Sequence, residues 1–228
     1  MNCCAVIPAG GSGKRMGADR PKQFLELNSK PILLHILEKF QNHEKIDSIV
    51  VSISDDWKEY LIDLCQEFKI TKLKEITSNG IERQDSVFNA INSEIVKKSD
   101  IVLIHDAVRP FFSNNLIDRV IENTITHGAA IPAIKPKETI KLSNIQEFVT
   151  QTLDREFIRL VQTPQGFWQE LLHVAYQSSM NNQYYGTDDA ALIEHYGHFV
   201  KIIEGEQNNI KITDKSDLAL AELMMRIK

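Results

Sequence analysis

Apolar residues along this chain fall into two patterns: short continuous runs, and longer stretches where they recur every three or four positions. The run at 4–7 reads as a buried strand that breaks at Pro8. Pro31 stands where a first helical residue belongs, and Leu33, Leu37 and Phe40 follow at helical spacing. Residues 46–53 are β-branched and continuous, a second buried strand, while Trp57, Tyr60, Leu61, Leu64 and Phe68 mark an amphipathic helix. A short strand at 73–77 precedes a helical stripe of Val87, Ala90, Ile91 and Ile95. The strand at 101–104 ends on His105-Asp106. Ser113 is placed to cap a helix carrying Leu116, Ile117, Val120, Ile121 and Ile125, and 129–134 is again strand-like.

Strands alternating with helices predict βαβ units and an α/β fold with a doubly wound, mainly parallel sheet. Ligands of such sheets gather at the carboxyl ends of the strands. The rhythm changes near residue 136: two extended runs, 139–142 and 148–153, flank a polar turn at Asn144. Residues 137–153 thus predict a projecting hairpin, too thin to be stable alone and expected to pack against a partner. A helix near 170–180, strands near 199–203 and 210–213, and a last helix over 217–227 complete the expectation. With no repeat and no linker, residues 1–228 read as one domain.

Length and composition agree: 228 residues with 43% hydrophobic and 25% charged content suit one sizeable soluble domain with a full core. A net charge of −5 argues against wholesale nucleic-acid binding, so the cations must be concentrated locally. No apolar run approaches about 18 residues, and Gly10 and Gly11 cut the first one too short for a signal peptide, so no membrane partner is expected. Three cysteines, two of them adjacent in a predicted strand, suit a reduced, cytoplasmic protein, and nothing has zinc-binding spacing.

The candidate chemistry centres on Pro8-Ala9-Gly10-Gly11-Ser12-Gly13, followed by Lys14, Arg15 and Lys22. Glycines permit close backbone approach, and free N–H groups beside fixed cations suit a triphosphate; the bland alternative is a glycine turn with solvated basic residues. Two familiar phosphate loops fail here. The dinucleotide pattern GxGxxG finds Met16 at its third glycine, and Walker A would need glycine at Pro8 and Ser or Thr at Arg15. Asp106, just beyond a buried strand, is a natural ligand for a nucleotide-bound magnesium ion, or else only caps the following turn. His105 reads as a satisfied strand-end histidine. The stretches around Gly80–Ser86 and Thr187–Asp189 open helices, where capping is the default explanation. Lys211 inside an apolar run is unusual, because burying an ammonium without a partner is costly; a phosphate would supply one.

The segments AGGSGKRMG, PKQF, RQDSV, HDAVRP, ET, LDR, QTPQ, TDDA, EG and NIKIT occur in one order over nearly the whole chain. In that order they closely resemble the 2-C-methyl-D-erythritol 4-phosphate cytidylyltransferase family of nucleotidyltransferases, from the non-mevalonate route to isoprenoid precursors. The resemblance implies a Rossmann-like nucleotidyltransferase domain that forms a homodimer through a β-arm at 137–153. It implies CTP over Pro8, Ala9, Gly10, Gly11, Ser12 and Gly13, cytosine read near Gly80 and Ser86, and Mg²⁺ assisted by Asp106. Arg15 and Lys22 would stabilise the transition state. A methylerythritol phosphate would be held by Asp106, Arg109, Thr163 and Lys211 with Thr139 and Arg155 of the neighbouring subunit, Arg155 and Lys211 orienting its phosphate. Asn79 and Ile81 depart from the family's usual glycine and acidic residue, and Val108 stands where alanine is frequent. Valine there is common in the related ribitol 5-phosphate enzymes, which keeps CDP-ribitol synthesis as the alternative, although LDREF and GTDDA look more like the erythritol enzymes. A non-catalytic nucleotide sensor would be expected to lack Lys22 or Lys211, and both are present.

Overall fold

The computed structural model describes residues 1–11 and 20–227, so Ser12, Gly13, Lys14 and Arg15 lie outside the described residues. In chain order the elements are β1 (Cys3–Pro8), β2 (Glu26–Leu27), β3 (Lys30–Pro31), α1 (Ile32–Asn42), β4 (Ser48–Ile53), α2 (Lys58–Glu67) and β5 (Leu73–Ser78). Then come α3 (Arg83–Ile91), α4 (Glu94–Lys97), β6 (Ile101–Ile104), α5 (Asn114–His127), β7 (Ala129–Ile134), β8 (Lys141–Ser143) and β9 (Val149–Thr152). The chain closes with β10 (Leu160–Val161), β11 (Gln165–Trp168), α6 (Gln169–Asn181), α7 (Asp189–His195), β12 (Lys201–Glu204) and α8 (Lys215–Ile227).

The main sheet runs β10-β7-β11-β6-β1-β4-β5, with β12 paired to β7. Pairs β1–β4, β1–β6, β4–β5 and β12–β7 are parallel. Both faces are covered, which is why the inner strands are uninterrupted apolar runs. Along β1, Cys3, Ala5 and Ile7 pack into one core with α1, α2 and α5, whereas Cys4 and Val6 enter the other with α3, α6 and α7. Among the described residues no helix is long and apolar enough to cross a membrane.

Four details differ from the sequence pattern. Strands β10 and β11 were not legible: β11 lies between β6 and β7, antiparallel to both, and its four residues carry too little periodicity to announce it. Residues 210–213 form no strand: the Ile210 N–H donates to the Asn208 carbonyl at 2.8 Å, the Ile212 N–H to the Val108 carbonyl at 2.9 Å and the Thr213 N–H to Asp217 Oδ2 at 2.8 Å, none of them a ladder bond. Ile95 belongs to α4, which Ser93 caps by accepting from the Val96 N–H, rather than to the helix that ends at Ile91. Pro31 ends β3 and precedes α1 instead of opening it. The Ser113 cap is as expected, accepting from the Leu116 N–H, and Gly128 closes α5 with a φ of 82° that favours glycine.

Residues 141–152 hold a two-stranded antiparallel ribbon, β8 with β9, separate from the main sheet. All its strand residues are exposed.

Candidate functional site

The carboxyl ends of β1 and β6 and the loop after β5 meet around a cavity of about 220 Å³. The loop after β1 is anchored from both sides. The Ala9 N–H donates to the Ser52 carbonyl at 2.7 Å, and the buried Gln23 side-chain amide donates to the Ala9 carbonyl. Gln23 sits in the short turn Lys22–Phe24, which brings Lys22 to the cavity wall beside Gly11. Glycine is required at Gly10: a Cβ there would lie 2.5 Å from the Asn79 Cβ.

Opposite this loop, Gly80 and α3 form a second wall. The Gly80 N–H donates to Ser86 Oγ at 3.0 Å, and the Ser86 hydroxyl donates to the Glu82 carbonyl at 3.2 Å. Glu82 and Asp85 make a reciprocal capping box at the start of α3. A Cβ on Gly80 would fall 2.1 Å from the Asp85 Cβ, so this tight approach also demands glycine. Asn79, the departure noted in the sequence, donates its side-chain amide to the Gly80 carbonyl at 3.0 Å. Ile81 stands at the cavity's rim, 97% exposed.

Asp106 is buried on the third wall and collects three cations. Its Oδ2 is 2.9 Å from Lys211 Nζ and 3.3 Å from Arg109 Nε, and its Oδ1 is 3.4 Å from Arg83 Nε. Burial opposes ionisation here, but Arg83, Lys211 and Arg109 together outweigh it and hold the carboxyl well below the usual carboxylate range. Lys211 therefore has a carboxylate partner already, and half-exposed it faces the cavity.

Behind Asp106 runs a closed hydrogen-bond chain. The Asp106 N–H donates to Thr163 Oγ1 at 3.1 Å, Thr163 Oγ1 lies 3.1 Å from His105 Nδ1, and His105 Nε2 lies 3.0 Å from the Arg109 carbonyl. With Oγ1 accepting from the amide, its proton points to Nδ1, which leaves Nε2–H to donate to the carbonyl. Burial pushes the His105 pKa down to about 3, so the ring is neutral and satisfied, as the sequence suggested. The Thr163 hydroxyl is thereby directed into the wall. The buried Asn209 ties the far side, donating to the Thr163 carbonyl at 2.8 Å and accepting from Arg109 Nη1 on its own carbonyl at 2.8 Å.

The structure thus brings together Pro8, Ala9, Gly10, Gly11, Lys22, Gly80, Ser86, Asp106 and Lys211 around one cavity, with Arg109 and Thr163 immediately behind. Thr139 and Arg155 are elsewhere: both are exposed at the ribbon, and Arg155 Nη1 donates to the Lys137 carbonyl at 2.8 Å. Sequence reasoning missed Arg83 and Asp189 as a site pair. Arg83 lines the cavity and grips Asp189 bidentately at 3.0 and 2.7 Å. RQDSV and TDDA both carried a signal, but each was explained by capping, which Asp188 indeed performs on the Ala191 N–H. Among the described residues no three His, Cys, Asp or Glu side chains cluster as a metal cage.

The chain's relatives point one way. Residues 3–227 match the model of a family described as 2-C-methyl-D-erythritol 4-phosphate cytidylyltransferase. Proteins of that name from Syntrophus aciditrophicus and Clostridium botulinum are each 40% identical to it, over 97% and 96% of this chain and 95% and 96% of their own. The crystal structure of the 4-diphosphocytidyl-2C-methyl-D-erythritol synthase from Anaerococcus prevotii superposes with a TM-score of 0.86 at 28% identity, covering 99% of this chain and 98% of that one. The Francisella tularensis cytidylyltransferase structure gives 0.81 at 34% identity, covering 98% and 99%.

Proposed function

The chain belongs to the 2-C-methyl-D-erythritol 4-phosphate cytidylyltransferase family, and from that premise we propose how its residues carry the reaction. It is a nucleotidyltransferase that joins CMP from CTP to 2-C-methyl-D-erythritol 4-phosphate; the ribitol phosphate alternative is not favoured by relatives at 40% identity over the whole chain. The observation that carries the site assignment is the convergence of the Ala9–Gly11 loop, Lys22, Asp106 and Lys211 on one cavity.

In this reading an oxygen of the substrate phosphate attacks the α-phosphorus of CTP, forming one P–O bond. The bond to the bridging oxygen breaks in line, and pyrophosphate leaves with the electron pair. Both reactants are strongly anionic and the attacking oxygen is already ionised, so positioning and charge neutralisation dominate and no general base is required. The neutral, buried His105 suits that division of labour. The triphosphate lies along Pro8 to Gly13 with Lys22 and Arg15 meeting the charge that grows toward pyrophosphate. Cytosine lies against Gly80 and Ser86. Lys211 and Arg109 serve the acceptor phosphate, with Thr163 holding their wall and with Thr139 and Arg155 supplied by a second subunit through the 137–153 arm.

Two carboxylates, Asp106 and Glu82, line the cavity and no cage forms among the described residues, which suits magnesium, an ion that takes a few protein oxygens and completes its shell with phosphates and water. Asp106 would be its protein ligand, and the ion would screen phosphate charge. The test is pyrophosphate release with CTP and magnesium, comparing methylerythritol 4-phosphate with ribitol 5-phosphate under matched conditions. Preferred turnover of the methylerythritol substrate is expected; equal or faster turnover of ribitol 5-phosphate would overturn the assignment.

A further inference from the structure

Asp189 is fully buried at the first turn of α7, and an isolated carboxylate there would be costly. It is satisfied from two sides: Arg83 donates Nη1 to Oδ1 and Nη2 to Oδ2, and the buried Tyr176 hydroxyl of α6 donates to Oδ1 at 2.5 Å. Arg83 opens α3, where the helix dipole disfavours a cation, so its position there needs compensating anions. Its third nitrogen, Nε, is the one that reaches Asp106, at 3.4 Å. One guanidinium therefore spans two carboxylates, and the two contacts are unequal. The fork on Asp189 is bidentate and fixes the plane of the group, whereas a single long contact to Asp106 would leave it free to rotate.

We propose that Asp189, braced by Tyr176, is a positioning residue that clamps the Arg83 guanidinium so that it presents one edge to Asp106 and the cavity. Without the clamp, Arg83 can turn and pair bidentately with Asp106, withdrawing both groups from their ligand-facing geometry. This rests on the reading of the cavity as the CTP site. Helix α7, which touches the cavity through no described side chain, thus sets the orientation of a charge that lines it.

The test is a double-mutant cycle with Asp189→Asn and Arg83→Gln, read as kcat/KM for CTP and, independently, as CTP affinity by titration calorimetry. Asp189→Asn is expected to lower kcat/KM on the order of tenfold at a temperature well below its melting point, less than the roughly 10² for outright loss of a preorganised donor, because the Arg83 guanidinium remains but is no longer held. Because Asp189 acts through Arg83, the double variant should match Arg83→Gln within about twofold instead of compounding the losses. Melting should reverse sign: Asp189→Asn lowers Tm in the native background and raises it in the Arg83→Gln background, where it relieves an unpaired buried charge. Wild-type kcat/KM in Asp189→Asn, or losses that multiply, would overturn the clamp. Arg83→Lys keeps the charge and discards the fork, so it decides the matter should Asp189→Asn not fold: a loss near that of Arg83→Gln supports the clamp, and near-native activity overturns it. A wild-type enzyme that makes no CDP-methylerythritol would refute the substrate reading instead, while the same cycle in CTP affinity still decides the clamp.

Discussion

At the scale of single residues, His105 shows how a buried polar group can support a site without entering the chemistry. Both ring nitrogens are engaged, and Phe40 and Phe112 enclose the ring with centroids at 5.5 and 4.2 Å. Asp106 nearby favours the imidazolium, but burial outweighs it and Arg109 and Lys39 add to the opposition. The unfolded chain takes up a proton near pH 6.5 and the folded one only near pH 3, so stability is lost as the pH falls through that window. The slope is one proton, about 1.4 kcal/mol per pH unit. His105→Gln should flatten the pH dependence of the urea-unfolding free energy between pH 6 and 4.5 by close to that amount. Asp106 contributes only below about pH 4, where the unfolded carboxyl titrates, and so does not enter the comparison. Identical slopes in the two proteins would show that another group carries the linkage. Lys22 is the contrasting case, a cation on the cavity wall. Lys22→Ala is expected to lower kcat by on the order of 10². A normal kcat with only a raised KM for CTP would show that Lys22 binds the ground state alone.

At the scale of elements, the tight contact between Gly80 and α3 is the most exposed to perturbation. In Gly80→Ala the new Cβ would meet the Asp85 Cβ at 2.1 Å, and the nearby atoms are helix backbone, so the loop must move. Overpacking of this kind costs about 1–3 kcal/mol of stability, and if the base rests on this loop as proposed, a displacement that takes about 1.4 kcal/mol from the bound state raises the KM for CTP about tenfold. An unchanged KM would argue that the base does not rest on this loop. The same loop shows what a sequence can announce. The strand runs of β1, β4, β6 and β7 were legible because they are buried on both faces, and the glycine loop and Asp106 followed because each is defined by its neighbours in sequence. Strand β11 was not, since its identity as a strand comes from β6 and β7 on either side of it. Residues 210–213 had the pattern of a strand and lack only a ladder to join. Arg83 and Asp189 lie 106 positions apart, and no local pattern pairs them.

At the scale of the molecule, the ribbon leaves apolar side chains in the open, with Ile145 94% and Phe148 71% exposed. A two-stranded ribbon is marginal on its own, and such side chains are stabilised by covering. Arg155 stands at its foot, away from the cavity of its own chain, so the expectation is a homodimer in which each arm completes the other subunit's site. Arg155→Ala and Lys22→Ala homodimers should each be nearly inactive. In a mixed C₂ dimer, one site collects both lesions and the other is intact. Random exchange of equal amounts makes half the dimers mixed, so the sample should recover about a quarter of wild-type activity. Were Arg155 to act within its own chain, every site would carry one lesion and mixing would restore nothing. The assay is run after subunit exchange has been verified by mass spectrometry of differently tagged chains, so that a flat result reports the geometry of Arg155 and not a failure to mix.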